Sequence, residues 1–197
     1  MKKNNISKLT ILTILLATVS NAYAHESAGI TGGFISGFTH PLFGWDHVVA
    51  MVAVGLWGAS LGKKAIWVLP VVFPLVMAFG GALGVVGIDI PEVERGIALS
   101  AIVLGAMVAF SVRAPVVVAA LIVGTFAIFH GHAHGTELPN AASPLAYSIG
   151  FVLSTGLLHI FGIVFGFLIR WPAGKTTIKI AGALISLVGL GFLTGSI

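Results

Sequence analysis

The segment Ala65–Val86, with the sequence AIWVLPVVFPLVMAFGGALGVV, contains no charged residue. An α-helix needs about 20 mainly apolar residues to cross the hydrocarbon core of a bilayer, which is about 30 Å thick. Similar apolar blocks lie on both sides of this segment, divided by charges, prolines and short polar turns; they are Ala28–Leu61, Gly96–Val112, Pro115–Phe129, Ser143–Ile169 and Ile178–Ile197. The blocks predict an all-α integral membrane protein with six transmembrane helices.

The composition excludes the main soluble classes. Of the 197 residues, 57% are hydrophobic and 8% are charged, and the mean hydropathy is +1.09. Soluble domains carry about 25% charged residues. So few charges would not cover a water-soluble globule, and this excludes a soluble enzyme, a nucleic-acid-binding protein and a disordered chain.

The amino terminus has the pattern of a cleavable signal peptide. Three lysines precede the apolar run Leu9–Val19, and Ala22-Tyr23-Ala24 follows it. A basic start, an apolar stretch of about 7–15 residues and an Ala-x-Ala end are typical of secretory signals. We therefore predict a signal peptide over residues 1–24 and a single transmembrane domain over residues 25–197, with His25 as the new amino terminus.

The remaining basic residues predict the orientation. Lysine and arginine are enriched in cytoplasmic loops. If the amino terminus is exported, six of them fall in cytoplasmic turns: Lys63, Lys64, Arg113, Arg170, Lys175 and Lys179. Only Arg95 falls outside, among three carboxylates. We expect a multi-pass protein of the bacterial inner membrane with both termini on the periplasmic or extracellular side.

The first apolar block is too long for one span. An unbroken helix over Ala28–Leu61 would be about 51 Å long, and Pro41 disfavours helical geometry at His40. We predict a short re-entrant or interfacial helix over Gly29–Thr39, a break over His40–Phe43, and a spanning helix that ends at Leu61. Glycines repeat every four residues in three places and predict close helix packing; they are Gly29/Gly33/Gly37, Gly80/Gly84 and Gly162/Gly166.

Two polar clusters interrupt this apolar chain. The first is His40-Pro-Leu-Phe-Gly-Trp-Asp46-His47, and the second is Phe129-His130-Gly-His132-Ala-His134-Gly-Thr-Glu137. A charge at the bilayer centre costs at least about 2.5–3.5 kcal/mol, so such residues usually face a pathway or a site. The predicted topology places both clusters at the outer side, where residues some 85 positions apart can meet.

The spacing of the second cluster suits a metal ion. His130 and His134 are four residues apart and share a helix face, Glu137 lies about one turn further, and His132 points to nearly the opposite side. In the first cluster, only a break after Pro41 can bring His40 near Asp46 and His47. The chain has no cysteine, and imidazole with carboxylate suits Ni(II), Co(II), Zn(II) or Cu(II) better than Cu(I), Ca or Mg.

Each histidine has a plain alternative, since it could lie at the membrane interface or cap a helix end. Two converging clusters favour a metal site over that alternative. His159 stands apart, and is either a deeper binding position for a permeating ion or a neutral histidine bonded to a helix carbonyl. His25 could bind an ion with its freed α-amino group. The candidate metal ligands are therefore His40, Asp46, His47, His130, His132, His134, Glu137 and His159.

The two clusters together resemble the HupE/UreJ family, the hydrogenase and urease accessory nickel permeases. The similarity rests on the His-x5-Asp-His run from His40 to His47 and on the Phe-His-Gly-His-Ala-His-Gly-x-Glu run from Phe129 to Glu137. It implies uptake of nickel, with cobalt as a second substrate, for metalloenzyme assembly. It also implies that His40, Asp46, His47, His130, His134 and Glu137, and less directly His132, take part in binding or passage of the metal.

The leading hypothesis is a facilitator for divalent transition-metal ions, with no catalytic residue and no cofactor besides the Ni²⁺, Co²⁺ or Zn²⁺ that it binds or moves. A membrane-embedded zinc-dependent hydrolase is the alternative, with Asp46 or Glu137 as general base. A metal sensor or a subunit of a larger permease is a third. The expected partners are the metal ion and the lipid bilayer, with no nucleic acid; a second copy of the chain and metalloenzyme-maturation proteins are further candidates.

Overall fold

Seven α-helices make up the computed structural model, which describes residues 30–138 and 143–197. They are α1 Ile30–Phe43, α2 Trp45–Leu61, α3 Lys63–Val85, α4 Val93–Ala109, α5 Val116–Glu137, α6 Pro144–Gly166 and α7 Pro172–Thr194. A short 3-10 turn, Phe167–Arg170, joins α6 to α7. No strand occurs in these ranges, so the all-α prediction is confirmed. The predicted signal peptide, His25 and Gly29 lie outside the described residues.

Four helices are long and apolar enough to cross a bilayer. They are α3, α5, α6 together with its 3-10 turn, and α7. Helices α2 and α4 have 17 residues each, which gives a length of about 25 Å. The pair α1 and α2 passes the same test together, as a broken span or a re-entrant loop, with a bend of 74°. The helices identify a membrane protein, and the count of six crossings stays a prediction.

The outer faces of these helices are apolar. On α3, Trp67, Val71 and Leu75 are exposed at intervals of four residues, while Leu69 and Phe73 on the opposite side are fully buried. Helix α6 has a similar exposed face that includes Leu153, Leu157 and Phe161. A bundle with exposed apolar faces and buried histidines fits a lipid environment, because lipid tails solvate apolar side chains without cost.

The bend lies at Gly44. The sequence had predicted a break over His40–Phe43, and that prediction is wrong because α1 is helical through Phe43. Helix α1 continues through Pro41 to Phe43, and the Gly44 amide donates to the His40 carbonyl oxygen at 3.0 Å. Proline removes one backbone donor, and α1 tolerates this because it ends two residues later. Gly44 is extended, with φ −79° and ψ 102°, and a Cβ there would lie 3.0 Å from Asp46 Oδ1. The bend therefore falls where a side chain would crowd Asp46.

Glycines let the helix backbones touch, as the sequence predicted. A Cβ at Gly37 would overlap the Tyr147 backbone, which holds α1 against the start of α6. A Cβ at Gly162 would lie 3.0 Å from Gly55 Cα, which holds α2 against the end of α6. Helices α1 and α2 therefore run beside α6 in the same direction, one after the other. Gly80 packs on Ile128 in the same way, between α3 and α5.

The two ends of the bundle differ in charge. The ends of α2 and α4 meet where Trp57 Nε1 donates to the Val112 carbonyl oxygen at 2.9 Å. A Cβ at Gly166 would lie 2.6 Å from Ala59 Cβ, so the end of α6 lies there too. The basic residues at or next to this end are Lys63, Lys64, Arg113, Arg170 and Lys175. At the opposite end, Asp46, Glu94 and Arg95 line one cavity with the last residues of the chain.

Gly80→Ala should lower the stability of the bundle. The added methyl group meets the Ile128 backbone, which has no freedom to move aside, and overpacking typically costs about 1–3 kcal/mol. Thermal unfolding of the purified protein in detergent measures the change. Gly156→Ala is the matched control, since nothing lies within 4 Å of its Cβ and alanine favours a helix by about 1 kcal/mol over glycine. Equal unfolding temperatures for the two variants would contradict the packing assignment.

Candidate metal centre

Three histidines from three helices converge near one end of the bundle. His40 lies in the last turn of α1, His47 in the first turn of α2, and His134 in the last turn of α5. One ligand atom from each lies within 4.8 Å of the others. The ring centroids of His40 and His134 are 4.8 Å apart, and those of His47 and His134 are 4.5 Å apart. We call His40, His47 and His134 the outer histidine group.

Asp46 orients one of these rings. Its Oδ1 lies 2.9 Å from Nδ1 of His47. At this ion-pair distance the carboxylate favours a proton on Nδ1 of His47, which leaves the lone pair on Nε2. Metal-binding histidines usually have their second nitrogen fixed in this way by a carboxylate or carbonyl. Asp46, which the sequence predicted as a direct ligand, is absent from the group of converging ligand atoms and lies where it is suited to orient the His47 ring.

The available nitrogen of His47 faces the second polar cluster. Nε2 of His47 and Nε2 of His134 lie in direct contact, although the residues are 87 positions apart in the sequence. Both side chains are buried, with exposures of 4% and 7%. Phe151 closes the other side, with its ring centroid 4.3 Å from that of His134. Two imidazoles that face each other inside an apolar bundle are suited to share a proton or a cation.

His130 lies beside the group with one nitrogen engaged. Its ring centroid is 5.0 Å from that of His47, and its Nε2 is 2.9 Å from Ser100 Oγ. The Ser100 hydroxyl donates to the Ile97 carbonyl oxygen at 2.6 Å, so its oxygen must accept the proton of His130 Nε2. The Nδ1 of His130 then carries the lone pair, and it is buried without a hydrogen-bond partner among the described residues.

Ser100 was not among the residues that the sequence pattern predicted for the site. It is a fully buried hydroxyl in the apolar helix α4, and a lone serine in such a block was the only available signal. Which histidine it meets depends on the packing of α4 against α5.

Three predicted ligands lie elsewhere or cannot be placed. His132 Nε2 bonds the Ile88 carbonyl oxygen at 2.8 Å, on the loop after α3. Glu137 is the last residue of α5, and its side chain lies outside the described part of the structure. His159 is fully buried in α6, away from the converging group.

Two cavities border the group. One of about 420 Å³ has a mainly apolar lining that includes His134, Tyr147 and Phe151. The other, of about 480 Å³, is lined by Asp46, Glu94, Arg95 and the end of α7. The Asp46 side chain is 29% exposed, so this carboxylate connects the polar cavity with the buried ring of His47.

The group is equipped to bind a divalent ion of borderline softness. Neutral imidazoles suit nickel, cobalt, zinc and copper(II), and a bound ion would retain open positions for water.

Comparison with known proteins adds a family relationship. The family described as HupE / UreJ protein matches residues 13–192 of the chain. Protein HupE from Rhizobium leguminosarum bv. viciae is 44% identical over 189 residues, which cover 96% of this chain and 98% of that protein. No solved structure matches the chain.

His47→Ala and His134→Ala should each weaken the binding of nickel at least tenfold, because each removes one of three converging ligand atoms. Equilibrium binding of radioactive nickel to the purified protein in detergent measures the affinity. His132→Gln is the control, since glutamine still donates to the Ile88 carbonyl oxygen and should leave the affinity unchanged. Loss of binding in the control alone would place the site on the other face of α5.

Asp46→Asn should lower the nickel affinity by about 10–100-fold, the usual effect of losing a group that orients a metal ligand. The side chain keeps its shape but no longer holds the proton on Nδ1 of His47 by charge. The same binding assay detects the change. Glu92→Gln, at an exposed residue paired with Arg95 at 2.8 Å, controls for the loss of one negative charge at this end. An unchanged affinity in Asp46→Asn would contradict the orienting role.

Proposed function

Because the chain belongs to the HupE/UreJ family, we propose that it carries divalent transition-metal ions, with nickel as the main substrate and cobalt as the second, inward across the membrane. The observation that supports this most directly is the contact between His47 and His134, which joins the two motifs within the bundle. Zinc has similar ligand preferences and is a competitor for the same group. The ion is a substrate that the protein binds and releases.

The ion enters from the end of the bundle that carries the carboxylates. Asp46 and Glu94 line the cavity there, and their negative charge raises the local concentration of cations. The ion then passes Asp46 and exchanges part of its water shell for the imidazoles of the outer histidine group. His130, with its free lone pair at Nδ1, is the next nitrogen along the bundle.

The charge distribution supports an inward direction. Basic residues gather at the end opposite the outer histidine group, and the positive-inside rule makes that end cytoplasmic. We infer six crossings, with α1 and α2 forming one broken span, and both termini outside the inner membrane after removal of a signal peptide. Moving a divalent ion inward then releases about 4.6 kcal/mol per 100 mV of membrane potential, twice the value for a single charge. Delivery to metalloenzyme-maturation proteins on the inner side would follow release.

The hydrolase alternative finds less support. Among the described residues, the carboxylate nearest the outer histidine group is engaged with Nδ1 of His47, which leaves it poorly placed to activate a metal-bound water. The lining of the cavity beside His134 is mainly apolar. The uptake assay below separates the two functions, since a hydrolase moves no ion.

Purified protein in sealed liposomes should take up radioactive nickel, and His47→Ala and His134→Ala should reduce the initial rate at least tenfold. Each variant lacks one of the imidazoles that would receive the ion from Asp46. A potential that is negative inside should increase the rate. His132→Gln serves as control and should retain the parental rate. No nickel uptake by the parent protein, together with metal-dependent hydrolysis of an amide or lipid, would refute the transport function.

A further inference from the structure

A second polar group lies deeper in α6, and the proposed function does not yet use it. Both nitrogens of the His159 ring are buried without a hydrogen-bond partner among the described residues. No helix carbonyl in the described ranges therefore pairs with His159, which favours the alternative of a deeper binding position. The Thr155 hydroxyl is also fully buried and has no partner in the same part of the chain. Thr155 precedes His159 by four residues, so the two side chains share one face of the helix.

Thr155 and its neighbour Ser154 differ from most helical hydroxyls of this protein in having no partner among the described residues. Hydroxyls inside helices commonly donate to the carbonyl oxygen four residues earlier, and Thr39, Thr125 and Ser148 do so at 2.8, 2.9 and 2.9 Å. Thr155 makes no such bond. A buried polar group without a partner indicates a water, an ion or a ligand that completes it. A hydroxyl and an imidazole on one face indicate one shared partner.

The position of this pair fits a path that starts at the outer histidine group. Phe151 packs on His134 and marks the depth of that group on α6. His159 lies eight residues further along the same helix, or about 12 Å deeper. The Phe73 ring contacts both His130 and His159, with centroid distances of 5.6 and 5.4 Å. His159 and His130 of the second motif therefore contact the same phenylalanine ring.

We propose that His159 and Thr155 form an inner binding site for a partly hydrated divalent transition-metal ion on its way through the bundle. The proposal rests on the proposed transport function and adds a second position to it. One imidazole and one hydroxyl supply only two protein ligands, so water must fill the remaining positions of the ion. Such a site binds weakly, as an intermediate position must if the ion is to leave it.

His159→Ala and His159→Gln test the inner site without touching the outer one. Uptake of radioactive nickel into liposomes should fall at least tenfold in both variants. Nickel affinity at the outer histidine group, measured in detergent, should stay within twofold of the parent value and also shows that the variants fold. A variant that binds nickel normally and transports it at the parental rate would overturn the proposal.

A thiol at position 155 gives a second test that does not require removal of His159. The chain has no cysteine, so Thr155→Cys introduces a single thiol, which with His159 makes a strong cadmium site. Cadmium should then inhibit nickel uptake at concentrations at least tenfold lower than in the parent. Adding His159→Ala to this variant should restore the parental sensitivity. Parental sensitivity in Thr155→Cys itself would overturn the proposal, even if the His159 variants fail to fold.

Ser154→Cys is the matched control for that experiment. Ser154 is also fully buried with an unpartnered hydroxyl among the described residues, but it projects about 140° away from His159 around the helix. Its thiol should leave cadmium sensitivity unchanged, and equal sensitization at both positions would overturn the shared site. A parent protein without nickel uptake would instead contradict the proposed function, so the two failures are distinguishable.

Discussion

The contact between His47 and His134 constrains the rest of the structure, because two imidazoles can be buried in an apolar bundle only if their polar atoms find partners. The Asp46 carboxylate lies 2.9 Å from one nitrogen of His47, and Ser100 bonds one nitrogen of the neighbouring His130. Nε2 of His47 contacts Nε2 of His134, and Nδ1 of His130 has no hydrogen-bond partner among the described residues. Burial makes an unsatisfied polar atom costly, and this supports the proposal that a cation binds here.

Small residues make this arrangement reachable for the backbone. Gly37 brings α1 against Tyr147, and Gly131 brings α5 against the Met77 backbone. Without these close approaches, His40 and His134 would stand on helices too far apart for their ring centroids to lie 4.8 Å from each other. Packing and chemistry therefore depend on the same residues, since the glycines that stabilise the bundle also set the spacing of the imidazoles.

The bundle also separates charge along its length, as the proposed inward movement of cations requires. Carboxylates and the outer histidine group occupy one end, while lysines and arginines occupy the other. In the proposed path, a cation attracted to the carboxylate end passes the partly exposed Asp46 and then meets the buried imidazoles. The unpaired polar atoms of His159 and Thr155 would extend this path deeper into α6. The proposed inner site offers fewer protein ligands than the outer histidine group, which would favour passage over retention.

The sequence by itself determined the class of protein and picked out the two polar motifs. Apolar blocks of span length with few charges leave no alternative to membrane helices, and the two polar motifs stand out because a charge in lipid is expensive. The four-residue glycine spacing also predicted close packing. These inferences succeed because they depend on local composition and on the helix period.

Only the tertiary structure decided which partners the motif residues meet. It places the bend at Gly44, because the choice between Pro41 and Gly44 depends on the space that Asp46 and His47 need. It turns His132 toward Ile88 and pairs His130 with Ser100, a residue from a different helix. It also shows that His159 has no carbonyl partner in the described chain. Such contacts join residues far apart in sequence, and no local pattern records which side chains will face each other once the helices pack.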